Sequence, residues 1–121
     1  MSESREDYLK AILTLKGERS CVRAIDIAEY MGFSKPSVSI ALKGLCANGL
    51  AYIDENGVEL TQSGQDAANE ILQRYHFLTR FLVSLGVSPE RAGIDAHKVE
   101  HAISSDSFAA LKNYFASDMT G

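Results

Sequence analysis

A chain of 121 residues with 45% hydrophobic content suffices for one compact domain or two small ones and excludes a large catalytic domain. No apolar run approaches the ~20 residues needed to cross a bilayer, and the start, Met1-Ser2-Glu3-Ser4-Arg5-Glu6-Asp7, has no signal-peptide apolar segment, so a cytoplasmic protein without a membrane partner is expected. The net charge of −4 is unevenly spread: residues 1–50 carry seven Lys/Arg against six Asp/Glu, and residues 51–121 carry five against ten, which leaves only a local surface for an anionic partner.

Tyr8, Leu9, Ile12, Leu13 and Leu15 recur at helical spacing and predict an amphipathic first helix ending near Lys16-Gly17. A second, shorter helix is predicted over Ala24–Met31, with Ile25, Ile27 and Ala28 as inner positions, and Gly32 stops it in a left-handed conformation. Ser34 then caps a third helix that has Pro36 in its first turn, where a missing N–H costs nothing. That helix runs to about Cys46 and buries Val38, Leu42 and Leu45. After Asn48-Gly49, residues 50–53 read as a strand, Asp54-Glu55-Asn56-Gly57 as a turn and residues 58–60 as the returning strand. Cys21 and Cys46 are too few and too far apart for a disulfide framework and are expected as buried thiols.

Three helices and a hairpin, with only Gly32 and Phe33 between the second helix and the cap of the third, form the layout of a winged helix-turn-helix. A small helical domain without a DNA role is the alternative. DNA is favoured because residues 34–52 contain Lys35 and Lys43 and no acid. Lys35, Ser37, Ser39 and Lys43 place short polar and cationic side chains where a recognition helix needs them.

Thr61-x-x-Gly64 opens another helix, which runs through Ile71, Leu72, Tyr75, Leu78 and Phe81 to Leu85, and Gly86 ends it. Ser88 caps the next, with Pro89 first and Glu90 near the positive end of the dipole. Ser104 or Ser105 caps a last helix whose Phe108, Leu111, Tyr114 and Phe115 form an apolar stripe. The expected fold is mostly α with a small β-hairpin: a winged helix-turn-helix over residues 1–64 and an all-helical domain over 65–121. Three helices rich in Phe, Leu and Tyr offer more apolar stripe than so short a domain can cover, so a homodimer is expected; packing back on the first domain is the alternative.

His97, Glu100 and His101 share one face of the helix that follows Pro89. Two imidazoles and a carboxylate converging in this way suit a divalent transition metal. The same letters spell the H-x-x-E-H motif of inverted zinc peptidases, in which Glu100 would act as base. A solvated helix face is the third reading of the cluster.

In chain order, Glu6-Asp7-Tyr8-Leu9, Asp26-Ile27-Ala28, Ser34-Lys35-Pro36-Ser37-Val38-Ser39, Leu60-Thr61-x-x-Gly64, Phe81-Leu82, Leu85-Gly86-Val87 and Val99-Glu100-His101-x-Ile103-Ser104 resemble the diphtheria-toxin-repressor family of metal-dependent transcriptional regulators. The resemblance runs from Arg5 to about Phe115 and is strongest to short, manganese-regulator-type members without an SH3-like domain. It implies a metal-dependent regulator of metal-homeostasis genes that binds double-stranded operator DNA as a homodimer. A metal links the DNA-binding and dimerisation domains in that family, and the implied ligands here are Asp7, His97, Glu100 and His101. That donor set suits Mn²⁺ or Fe²⁺, with Zn²⁺ possible. Lys10 stands where manganese-type members have a second carboxylate, and Tyr75 where they have a His, with His76 displaced by one residue. These departures point to one metal per protomer, and they support an alternative regulator that has lost metal control and answers another ligand or partner.

Overall fold

A computed structural model describes the backbone of residues 3–120 and the side chains of residues 3–116. Among these residues the elements are α1 (Glu3–Glu18), α2 (Ala24–Met31), α3 (Lys35–Ala47), β1 (Ala51–Asp54), β2 (Gly57–Leu60), α4 (Gln62–Ser84), α5 (Pro89–Ala102) and α6 (Ser105–Thr120). They fall into two compact units, one reaching Glu70 and the other beginning at Ile71.

The first unit closes around Leu9, Ile12 and Leu15 of α1, Ile27 of α2, Val38, Leu42 and Leu45 of α3, and Val58 and Leu60 of β2. Burial of each such side chain contributes roughly 1.5–3 kcal/mol, so this cluster dominates the unit's stability. The predicted inner position Ile25 is instead 45% exposed. At about 100° per residue it lies some 200° round the helix from Ile27, and an eight-residue helix has no second apolar face to bury. Cys21 and Cys46 are free thiols, and both are only half-buried.

The turn from α2 into α3 forms as its residues demand. Gly32 adopts φ 72° and its N–H donates to the Ala28 carbonyl, while Ser34 Oγ accepts from the Ser37 N–H at 3.3 Å. In the hairpin, Ala51 pairs with Leu60 and Ile53 with Val58, and the turn is closed by the Asn56 N–H donating to Asp54 Oδ1 at 2.8 Å. Val22, between α1 and α2, adds a short bridge that periodicity does not reveal: the Val58 N–H donates to its carbonyl at 2.7 Å. A Cβ on Gly57 would meet that carbonyl, and its φ of 97° excludes most side chains independently.

The Thr61-x-x-Gly64 pattern has a specific cause. Thr61 Oγ1 accepts from the Gly64 N–H at 3.1 Å and donates to the Gly49 carbonyl at 2.7 Å, tying the start of α4 to the end of the α3 turn. The Leu50 carbonyl occupies the space a Gly64 Cβ would need and also accepts from the Thr61 N–H. Gly64→Ala should therefore destabilise the first unit by about 1–3 kcal/mol, as overpacking against a backbone does. Urea unfolding of wild type and variant checks this, and equal midpoints would contradict it.

The second unit is held by aromatic side chains. Phe77 meets Phe108 and Phe115 edge-to-face at 5.4 and 5.5 Å, and Phe81 meets Phe115 at 5.5 Å, the arrangement that places positive ring edges on negative faces. Leu78, Ala96 and Leu111 complete the cluster. Tyr114, predicted in the stripe, is 69% exposed because it lies about 100° round α6 from Phe115. Ser88 caps α5, accepting from the Arg91 N–H at 3.3 Å, and Ser104 is the serine that caps α6, accepting from the Ser107 N–H at 3.1 Å.

Candidate metal centre and DNA-reading helix

Burial of Val38, Leu42 and Leu45 turns the opposite side of α3 outward. Lys35, Ser37, Ser39 and Lys43 are all exposed on it. The Ser37 hydroxyl is engaged in the helix cap, 2.8 Å from Ser34 Oγ, so it helps set where α3 begins as well as facing outward. Ile40, absent from the predicted set, is 73% exposed on the same helix. On the hairpin, Lys16 pairs with Glu59 at 2.8 Å, which offsets one of the acidic charges of the wing.

The second cluster is built on α5. One helical turn brings Glu100 Oε1 to 3.0 Å from His97 Nδ1 and 3.5 Å from His101 Nε2, with the imidazole rings 5.4 Å apart and nearly perpendicular. Each of the three offers a ligand atom, all within 4.8 Å of one another. The Glu100 side chain is fully buried, that of His101 is 4% exposed and that of His97 47%. A carboxylate taken out of water costs several kcal/mol unless positive charge or hydrogen bonds offset it. A buried anionic oxygen facing two imidazole nitrogens is the donor arrangement a divalent cation would complete. Asp7 lies half-buried on α1, in the other unit.

The α5 cluster is supported by a residue with no motif to announce it. Arg74, on α4, donates from Nη1 to the Ile103 carbonyl at 2.9 Å and the Glu100 carbonyl at 3.3 Å, and from Nη2 to Ser105 Oγ at 3.0 Å. Its guanidinium also sits 5.4 Å from the Phe108 ring centroid. One planar cation thus satisfies carbonyls at the end of α5 and holds the beginning of α6. Tyr75, next along α4, packs its phenol oxygen over Gly93 of α5, 3.3 Å from where a Cβ would stand. His76 is exposed and meets the Tyr75 ring edge-on at 5.4 Å.

Residues 1–57 match the family model described as "Iron dependent repressor, N-terminal DNA binding domain", and residues 61–117 match "Iron dependent repressor, metal binding and dimerisation domain". The chain belongs to the iron-dependent repressor family. As a member it is a metal-dependent, DNA-binding transcriptional regulator, with a winged helix-turn-helix followed by a helical metal-binding and dimerisation domain. Transcriptional regulator MntR of Escherichia coli is 38% identical over 108 residues, which cover 88% of this repressor and 70% of MntR. An HTH-type transcriptional regulator MntR of Geobacillus kaustophilus is 32% identical over 119 residues, covering 95% of this chain and 84% of its own. Among solved structures, a manganese-dependent transcriptional repressor in complex with manganese aligns with a TM-score of 0.83 at 32% identity. The alignment covers 93% of this chain and 52% of that one, so this repressor spans about half of that protein's length.

These relatives are named as transcriptional regulators, not as peptidases. No helix among the described residues is long and apolar enough to cross a membrane.

Proposed function

We propose that this repressor controls metal-homeostasis genes from the cytoplasm, acts as no enzyme, and takes Mn²⁺ or Fe²⁺ in preference to Zn²⁺. His97, Glu100 and His101 hold the ion with Asp7 as the fourth ligand. Residues 1–64 form the DNA-binding domain and residues 65–121 the metal-binding and dimerisation domain. The observation that carries the reading is the buried Glu100 carboxylate between two imidazoles on α5. The assignment of Asp7 rests on its place in the Glu6-Asp7-Tyr8-Leu9 pattern and on its carboxylate chemistry, and the choice of metal also draws on the manganese-dependent repressor named above. Lys10 and Tyr75 favour one ion per protomer, since an ammonium repels a second cation and a phenol is a weaker donor than an imidazole.

An ion held by Asp7, His97, Glu100 and His101 would supply positive charge beside the buried carboxylate. Because it binds the DNA-competent arrangement more tightly, metal and operator raise each other's affinity by the same factor. Lys35 and Lys43 contact phosphates, and Ser37 and Ser39 approach bases. DNA selected from a random pool with Mn²⁺ present should bind at least about tenfold more tightly with Mn²⁺ than with a chelator, within the roughly 5–150-fold range of allosteric couplings. Equal affinity with Mn²⁺, Fe²⁺, Zn²⁺ and chelator would reject metal control. That outcome would favour the second reading, a regulator responding to another ligand or partner, for which Lys10 and Tyr75 are the sequence support.

A further inference from the structure

We infer that Ile40 is the side chain through which α3 reads thymine, by packing on the C5-methyl group in the major groove. Among the exposed large apolar side chains described, Ile40 is the most exposed, at 73%. Isolated apolar residues are common on protein surfaces, so exposure by itself decides nothing. Position decides. At about 100° per residue, Ile40 lies between about 140° and 200° round α3 from Val38, Leu42 and Leu45, which places it at the middle of the outward face. Pro36 and Lys43, one turn away on either side, share that face.

Folding offers no reason for an isoleucine there. A β-branched residue is a poorer helix former than Ala, Lys or Gln, and Ile40 buries little in exchange. Binding does offer one. Residues 1–57 match a DNA-binding domain, and Lys35 and Lys43 flank Ile40 with no acid between residues 34 and 52, which suits an anionic duplex. In a recognition helix the central outward side chain meets base edges, while flanking cations meet phosphates. Ile40 has no donor or acceptor, and the one apolar feature that the major groove presents is the thymine methyl. Selectivity at that base pair therefore comes from apolar contact and from the cost of placing an aliphatic chain against unsatisfied polar edges. This inference rests on the DNA-binding reading above.

The test uses the full chain with Mn²⁺ and DNA selected from a random pool, in which each conserved thymine is replaced in turn by uracil. That exchange removes one methyl and leaves all hydrogen-bonding groups. The wild type should lose about fourfold in affinity per half-site at one thymine, the worth of one buried carbon. Ile40→Ala should bind the thymine DNA more weakly and show no uracil effect at that position. In a fresh selection, Ile40→Asn should change the preferred base there from thymine to adenine, which an amide pairs with bidentately. Uracil sensitivity unchanged in Ile40→Ala, or thymine still selected by Ile40→Asn, would overturn the inference while leaving the DNA-binding reading intact. Failure of the wild type to select any DNA would overturn that reading itself.

Discussion

Glu100→Gln should cost this repressor at least about a hundredfold in metal affinity, roughly the upper cost of losing a ligand's support and more for the ligand itself. Glutamine keeps the volume and one carbonyl oxygen of Glu100 but removes the charge that sits fully buried between His97 and His101. Without metal the carboxylate keeps its contacts with the two imidazoles, so the metal-free Tm of each protein is the baseline against which metal binding is read. With metal the carboxylate is the strongest donor on α5. Thermal denaturation reads the difference. At a metal concentration 100 times the wild-type dissociation constant, ligand linkage stabilises the wild type by about 2.7 kcal/mol, and a variant bound a hundredfold more weakly by only about 0.4 kcal/mol. A variant that keeps the full metal-induced rise in Tm would remove Glu100 from the metal site. His101→Ala should reduce the rise in the same way.

Arg74→Ala should destabilise the second unit by about 2–3 kcal/mol, the worth of hydrogen bonds from a charged donor to carbonyls left without it. It should also weaken metal binding by about tenfold, a typical cost of removing a group that orients a ligand. The reason for the second effect is geometric: the Glu100 carbonyl that accepts from Arg74 belongs to the same residue as the buried carboxylate, and Ile103 lies two residues beyond His101. Arg74→Lys should recover the contact over Phe108 and part of the stability. It should not recover the full metal affinity, because a single ammonium cannot reproduce the planar fork that reaches two carbonyls and the Ser105 hydroxyl. Calorimetric titration with Mn²⁺ and a denaturation curve for each variant would check both effects. Wild-type metal affinity in a destabilised Arg74→Ala protein would confine Arg74 to a structural role.

Much of the architecture is legible from local signals. Gly32, Ser34 and Pro36 specify the turn into α3, and Ser88-Pro89 specifies the start of α5, because caps and backbone preferences act within a few residues. The i, i+3, i+4 spacing of His97, Glu100 and His101 likewise brings them onto one helical face without help from the rest of the chain. Ile25 and Tyr114 are exposed against expectation because apolar character does not say which of two adjacent faces finds a partner. Ile25 stands on the outer side of a helix only eight residues long, and Tyr114 lies just beyond the edge of the stripe that meets Phe77 and Phe81.

By itself, then, the sequence determined the helices, the hairpin, the turn that aims α3, and the three donors on α5, all products of short-range geometry. The tertiary structure alone decided that Glu100 is buried between its imidazoles, that Val22 backs the hairpin and that Arg74 fastens the end of α5. Each depends on which groups from distant parts of the chain take a side chain out of water or leave it there. The burial of a charged side chain and long-range hydrogen bonds have no period in the sequence from which to read them.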